Sequence, residues 1–443
     1  VPDPTLRRVR RCASRHFAGA LVAIAGTTCG ASAAADVFRQ VEVRGAEFIP
    51  EADIQMTCGA QAGVDYSVYE IEAIEDCLMS TGVFEAVSVS GEGETLVIAV
   101  SEIDDSPGRI EAAVNYVSDD GFLAELSAEK YNLFPDTYGA LRLSANADVR
   151  ALEANLYRAD QWGEDWDLGL DVIAREAKPE DAGYSERGLR IEPFVAWTPS
   201  EDLRLEAGLG WRDYRLADVD SEASALLIAE ETGSISAPYL RFGLSFGRNV
   251  DLGDNPSGWA KAGYMLRLDQ FIWNIGSGEA LSDTRFDLTT QLPLGERIRL
   301  LTGLRGGAVR GLDGNDTRAI DRYFPGADTF RGFAPRGVGP RDEGTALGGN
   351  TYVVGSLEAQ RDLGRVLRLP MRAGIFLDTG ASWDLDDDLG GRIDDGWSNR
   401  SSVGLSLTFE VSETPVSLYV AGPVSQRPGD ETQAFGISFA ARF

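Results

Sequence analysis

From about residue 108 onward, hydrophobic and polar residues alternate one by one in short runs broken by Gly, Pro, Asp and Asn. Leu203 to Arg212 carries the pattern most clearly. Leu203, Leu205, Ala207, Leu209 and Trp211 share one parity, and Arg204, Glu206, Gly208, Gly210 and Arg212 the other. Trp166 to Val172 and Leu189 to Trp197 read the same way. A period of two means β-strands with chemically different faces. About 16 strands are predicted, beginning near Ile110, Phe122, Tyr138, Ala151, Trp166, Leu189, Leu203, Ser234, Trp259, Thr284, Ile298, Asn350, Leu369, Val403, Val416 and Gln433. A soluble β-sandwich also alternates. Here, however, the polar face carries Arg, Glu and Asp as steadily as the other carries Leu and Val. With aromatics at strand ends, that is the pattern of a transmembrane antiparallel β-barrel over 108–443. An even strand number puts both ends of the barrel on one side.

Residues 37–103 follow another rhythm. Val37 to Val43 alternates and stops at Arg44-Gly45, which predicts a strand. Two helical stretches follow, about 51–58 and 67–80. The second spaces Val68, Ile71, Ile74 and Leu78 along one face and stops at Gly82. Phe84 to Val89 and Thr95 to Val100 alternate again around Gly91-Glu92-Gly93. The order β-α-α-β-β describes a small α+β domain ahead of the barrel.

The first 35 residues read as an export signal. Arg7, Arg8, Arg10, Arg11 and Arg15 precede the apolar run Phe17 to Gly26, and small residues around Ala33 follow. Without that leader, Cys58 and Cys77 are the remaining cysteines. A disulfide between them would add about 3 kcal/mol to a domain too small to rely on its core. Two free buried thiols are the alternative.

Composition narrows the chemistry. No stretch reaches the roughly 18 apolar residues of a membrane helix. The single histidine, His16, falls in the leader, so no Ser/His/Asp triad, Cys/His pair or His-ligated zinc is expected. The net charge of −29 becomes about −33 without the leader, which argues against nucleic acid and against anionic lipid as default partners. Asp384, Asp386, Asp387, Asp388, Asp394 and Asp395 fit neither an EF-hand nor a nonapeptide repeat and read as a solvated acidic loop. No Walker loop or dinucleotide fingerprint is present. The reading is a non-enzyme that needs no cofactor.

One connection, 311–349, is far longer than ordinary loops. It contains Arg331-Gly332-Phe333 and Gly337-Val338-Gly339-Pro340-Arg341-Asp342, and it runs into Leu347-Gly348-Gly349-Asn350. The following strand carries Phe376-Leu377-Asp378-Thr379-Gly380, and the chain closes on an alternating strand with Phe439 and Phe443. In this order the motifs resemble the BamA/TamA outer-membrane assembly-pore superfamily, whose small periplasmic module is the POTRA domain. Residues 37–103 are similar to that module, including the passage Ser80-Thr81-Gly82-Val83-Phe84. The stretch from Gly108 to Phe134 is similar to the family's first strands.

The resemblance covers nearly all of the chain after the leader. It implies a long loop folded back into the lumen, with Arg331 meeting Asp378 and Phe333 packing near Phe376. Gly332 would allow close backbone approach, and Gly380 would complete the strand motif. Phe439 and Phe443 would serve as a C-terminal insertion signal. Family members usually carry several POTRA domains, or two behind a plug helix; here there is room for one, and no plug helix is evident.

For function, the resemblance implies a protein of the Gram-negative outer membrane, with its POTRA-like domain in the periplasm. It would insert or translocate β-rich polypeptides by strand addition, at the POTRA-like domain and at the seam between the first strand (109–117) and the last (433–443). The implied partners are outer-membrane lipid, unfolded β-rich clients and a TamB-like periplasmic protein. Two other readings stay open: a two-partner secretion translocator and a passive diffusion porin.

Overall fold

A computed structural model describes residues 36–46, 49, 51–60, 62–81, 83–102, 108–117, 121–163, 165–179, 182–200, 202–248, 262–327, 329–366, 369–411 and 414–439. The expected leader, 1–35, lies outside them, as does Phe443. The chain divides into two compact units between Asp104 and Asp105.

The first unit contains β1 (Asp36–Phe38), β2 (Gln40–Arg44), α1 (Glu51–Thr57), β3 (Val64–Tyr66), α2 (Val68–Ser80), β4 (Phe84–Glu92) and β5 (Thr95–Glu102). The single strand expected over Val37 to Val43 is broken at Arg39. Phe38 and Val43 are both buried, yet they lie five residues apart, so a straight strand would send them to opposite faces. The break resolves the conflict. β1 then pairs with β3, and β2 pairs in parallel with β5 in a sheet of order β2-β5-β4. Central β5 buries Leu96, Val97 and Ile98.

α2 begins at a capping box. The Ser67 backbone N–H donates to Glu70 Oε2 at 2.7 Å, and the Glu70 N–H returns a bond to Ser67 Oγ at 3.4 Å. These bonds hold the exposed Glu70 carboxyl below the usual carboxylate range. Ile74 and Leu78 point into the core with Ile71 beside them; the Val68 side chain lies outside the described residues. A disulfide joins Cys58, just past α1, to Cys77 on α2, with Cα atoms 5.9 Å apart.

The second unit is one antiparallel sheet of 16 strands. They are β6 (Arg109–Val117), β7 (Gly121–Phe134), β8 (Thr137–Ala145), β9 (Val149–Arg158), β10 (Trp166–Ala177), β11 (Ser185–Ser200), β12 (Leu203–Ala217), β13 (Ile235–Arg248), β14 (Gly263–Trp273), β15 (Leu281–Pro293), β16 (Ile298–Gly311), β19 (Thr351–Val366), β20 (Leu369–Trp383), β21 (Arg400–Val411), β22 (Thr414–Ser425) and β23 (Phe435–Phe439). A short helix, α3 (Ala225–Glu230), lies between β12 and β13, and the two-residue strands β17 (Arg341–Asp342) and β18 (Thr345–Ala346) pair within the long loop. The strand expected from Trp259 starts at Gly263, and residues 249–261 lie outside the described set.

The sheet is a transmembrane β-barrel, and its two faces obey the alternation. Leu209 is 60% exposed and Trp211 49%, while Gly208 and Gly210, of the other parity, are buried. Inward charges pair with one another: Arg204 holds Asp167 and Glu206, and Arg241 holds Glu192 and Glu206. Outward aromatics cluster toward one rim, with Trp166 stacked on Trp197 at 5.7 Å and Phe246 near Tyr264 at 5.4 Å.

That rim carries short turns such as 135–136, 201–202 and 294–297, whereas the opposite rim carries 218–234, 312–350, 384–399 and 426–434. Leu227, Ala319, Leu347, Leu385 and Ile393 from these longer connections form a second apolar core with Tyr184, which stands between β10 and β11.

Replacing Cys58 and Cys77 together by Ala should cost the first unit about 3 kcal/mol. Hydrogen exchange on the full chain reads this as faster exchange confined to residues 36–102, with β7 to β22 unchanged.

Candidate functional site

Register on three adjacent strands builds the floor of the site. Ser356 of β19, Asp378 of β20 and Ser402 of β21 are direct cross-strand partners and share one face. Two residues along, Glu358, Phe376 and Gly404 form a parallel row. Both rows face the lumen, and the tip of the 312–350 loop lies on them.

Arg331 binds nearly every group in those rows. Its Nε and Nη2 donate to the two Asp378 oxygens at 2.9 and 2.8 Å, a bidentate fork. Nη1 donates to Glu358 Oε2 at 2.5 Å, and Nη2 also reaches Ser356 Oγ at 2.9 Å. The Arg331 backbone N–H donates to Asp378 Oδ2 at 3.2 Å, while its carbonyl accepts from the Ser402 hydroxyl. The guanidinium plane lies 3.5 Å from the centroid of the Phe376 ring. Ser406 and Gln360 satisfy the second oxygen of Glu358 at 2.6 and 2.8 Å. Asp378 and Glu358 are both buried, so each carboxylate depends on these donors.

Gly332 has φ +92°, and a Cβ there would stand 2.8 Å from Ser402 Cβ. The loop therefore touches the sheet at the one residue type that tolerates both the conformation and the gap. At Gly380 a Cβ would meet the Val353 carbonyl at 2.3 Å, which ties that glycine to strand packing one turn of the pleat above Asp378.

Phe333 was expected near Phe376. The structure puts it with Phe330, Val338 and Val354, at 4.6 Å from the Phe330 ring, whereas Phe376 groups with Tyr419 and Ala421. The physical reason is that the guanidinium already occupies the Phe376 face. Glu358, Ser356 and Ser402 escaped sequence reading because each is an ordinary inward residue of its strand; only register singles them out.

The loop tip also binds the connection that leads into the last strand. Ala334 N–H donates to Glu431 O at 3.0 Å, Glu431 N–H to Gly337 O at 3.0 Å, and Gln433 N–H to Gly332 O at 3.2 Å. Arg341 adds an ion pair to Glu431 at 2.6 Å, and buried Arg400 and Asp430 pair at 3.0 Å. Toward the rim, Arg212 reaches Asp321 at 2.8 Å, and Arg322 donates to Glu230 of α3. Burial pushes the Glu230 carboxyl above its usual range, against the pull of Arg322.

In the acidic loop, Asp387, Asp388 and Asp395 accept bonds from backbone N–H groups of Leu389, Gly391 and Leu385. Among the described residues no group of three or more metal-ligating side chains comes together.

At the seam, β6 and β23 approach within 8 Å between Cα atoms, but among the described residues no ladder joins them. Among the described residues β23 pairs with β22 from Phe435 to Phe439.

A membrane barrel with a long loop locked across its lumen defines the class. The family model of the Omp85 superfamily domain matches residues 137–443, and the chain belongs to that superfamily. It is a protein of the bacterial outer membrane. It is 24% identical over 373 residues to the outer membrane protein assembly factor BamA of Neorickettsia risticii, covering 81% of this chain and 49% of that protein. The chain spans about half the length of the curated relatives it matches. In fold it is similar to BamA from Haemophilus ducreyi lacking POTRA domains 1–3, with TM-score 0.72 and 17% identity over 91% of this chain and 84% of that one. CdiB from Escherichia coli shares the fold at TM-score 0.50 and 11% identity, over 94% and 91% of the two chains.

Arg331→Ala would leave two buried carboxylates facing each other without their cation, a loss of about 3–5 kcal/mol. The folded form, followed by its gel mobility in SDS, should then be lost at a clearly lower temperature. Adding Asp378→Asn and Glu358→Gln should restore part of the loss, since the three groups act as a unit.

Proposed function

We propose that this protein inserts or translocates β-rich polypeptides at the outer membrane by offering them unpaired strand edges. The observation that carries the reading is the seam: the first and last strands of the sheet lie side by side without a ladder among the described residues. An unpaired edge in hydrocarbon is a template for an incoming strand. The small unit, POTRA-like in its element order, ends its three-stranded sheet in β2 and β4, two further edges suited to strand addition on the periplasmic side. The printed role of the BamA relative, outer membrane protein assembly, supports the same reading. Arg331, Gly332 and Asp378 would brace the loop while the seam exchanges partners. Phe439 and Phe443 would serve in the protein's own insertion, and a TamB-like periplasmic protein would be a partner.

The test is the outer-membrane proteome of cells depleted of the protein and complemented with the wild type or with Arg331→Ala. A set of barrel proteins or autotransporters should disappear on depletion and return only with the wild type. Loss of one secreted protein with barrels intact would replace this reading with a two-partner secretion translocator. An unchanged proteome with altered solute uptake would leave a porin.

A further inference from the structure

The outward face of the barrel carries charge at one place where its surroundings are apolar. Parity there follows from Arg212, which turns inward to Asp321 of the long loop, so Trp211 and Asp213 turn outward. Cross-strand pairing carries that face along four strands, β9 to β12. One row is Ala154, Val172, Ile191 and Trp211, and the next toward the long-loop rim is Leu152, Ala174, Leu189 and Asp213. The row above them is Arg150, Glu176, Arg187 and Arg215.

Three arginines thus stand in one row across four neighbouring strands, with Glu176 between Arg150 and Arg187. At the usual strand spacing, Arg187 and Arg215 are about 5 Å apart at the backbone and Arg150 about 10 Å from Arg187. All three are exposed. Glu176 holds Arg187 at 2.8 Å, while Arg150 and Arg215 have no hydrogen bond or ion pair among the described residues. Asp213 is the other carboxylate of the patch, so cations outnumber anions in a chain whose net charge is −29. Elsewhere along this rim the outward positions carry Ser236, Ser282, Thr351 and Trp383, with Arg310 as a lone cation among them.

Directly beneath the arginines lies an open groove of about 800 Å³, lined by Leu126, Leu143, Leu152 and Leu189 and widened by Ala145 and Ala174. We infer that this patch is a binding site for an acylated lipid with a phosphate-bearing head group. Guanidinium groups match phosphate oxygens in planar, bidentate geometry. The groove below takes acyl chains at the depth where the barrel faces hydrocarbon. Since the patch lies at the long-loop rim, remote from the periplasmic end of β6, the lipid belongs to the outer leaflet. The inference uses the outer-membrane placement and not the handling of clients.

The test is native mass spectrometry of the purified full chain, incubated with diphosphoryl lipid A, monophosphoryl lipid A or dipalmitoylphosphatidylcholine. The wild type should retain diphosphoryl lipid A, and Arg150→Gln/Arg187→Gln/Arg215→Gln should retain at least tenfold less. Arg310→Gln should match the wild type, and phosphatidylcholine should not distinguish the variants. Arg215→Gln alone, which breaks no ion pair among the described residues, should reduce retention about threefold and serves if the triple variant does not fold. Equal retention by folded wild-type and variant protein would overturn the site and leave the arginines as side chains reaching for water. Displacement of the lipid by millimolar inorganic phosphate would show a free-anion site instead and overturn the lipid assignment.

Discussion

Backbone N–H and C=O groups in hydrocarbon have no water to turn to, and each one left unpaired costs several kcal/mol. Every strand of the 16-stranded sheet from β7 to β22 meets that constraint with a neighbour on both sides. β6 and β23 do not, among the described residues. The alternation of faces, the even strand number and the mixed charges of the lumen all follow from the need to close a sheet in lipid. Among the described residues the seam between β6 and β23 is where the sheet carries no ladder, and the Arg331 cluster of the lumen is tied to it through the loop.

That cluster is not best understood as a source of stability. Burying a guanidinium with two carboxylates consumes much of the Coulomb gain in desolvation. What the arrangement supplies is direction. A bidentate fork to Asp378, a third bond to Glu358 and the Phe376 ring against the guanidinium plane admit one orientation of Arg331. Gly332, with no side chain, then lets the backbone settle on Ser402. A Lys at 331 would keep the charge and lose the orientation.

The barrel was legible because period-two alternation is a strong local signal, and lipid enforces it on strand after strand. The loop-to-strand pair was legible only through resemblance: Arg331 and Asp378 are 47 residues apart and nothing local links them. Three things were hidden. The break at Arg39 follows from a parity conflict between Phe38 and Val43 that appears only once both are known to be buried. Glu358, Ser356 and Ser402 needed cross-strand register, which a single sequence does not provide. The Arg150, Arg187 and Arg215 row needed register too, since these residues stand on three different strands and lie far apart in the chain.

The loop and the seam share one free energy. The segment Glu431 to Gln433 stands just ahead of β23 and exchanges three backbone hydrogen bonds with Gly332, Ala334 and Gly337 of the loop tip. Displacing the start of β23 must therefore break those bonds or carry the tip along, and the tip is held by Arg331. The coupling is reciprocal by thermodynamic necessity: whatever loosens Arg331 eases movement of the last strand, and a strand that pairs with β23 weakens the hold on the loop. The loop tip therefore adds to what holds the start of the last strand, and Arg331 is the side chain that fixes the tip to the floor of the site.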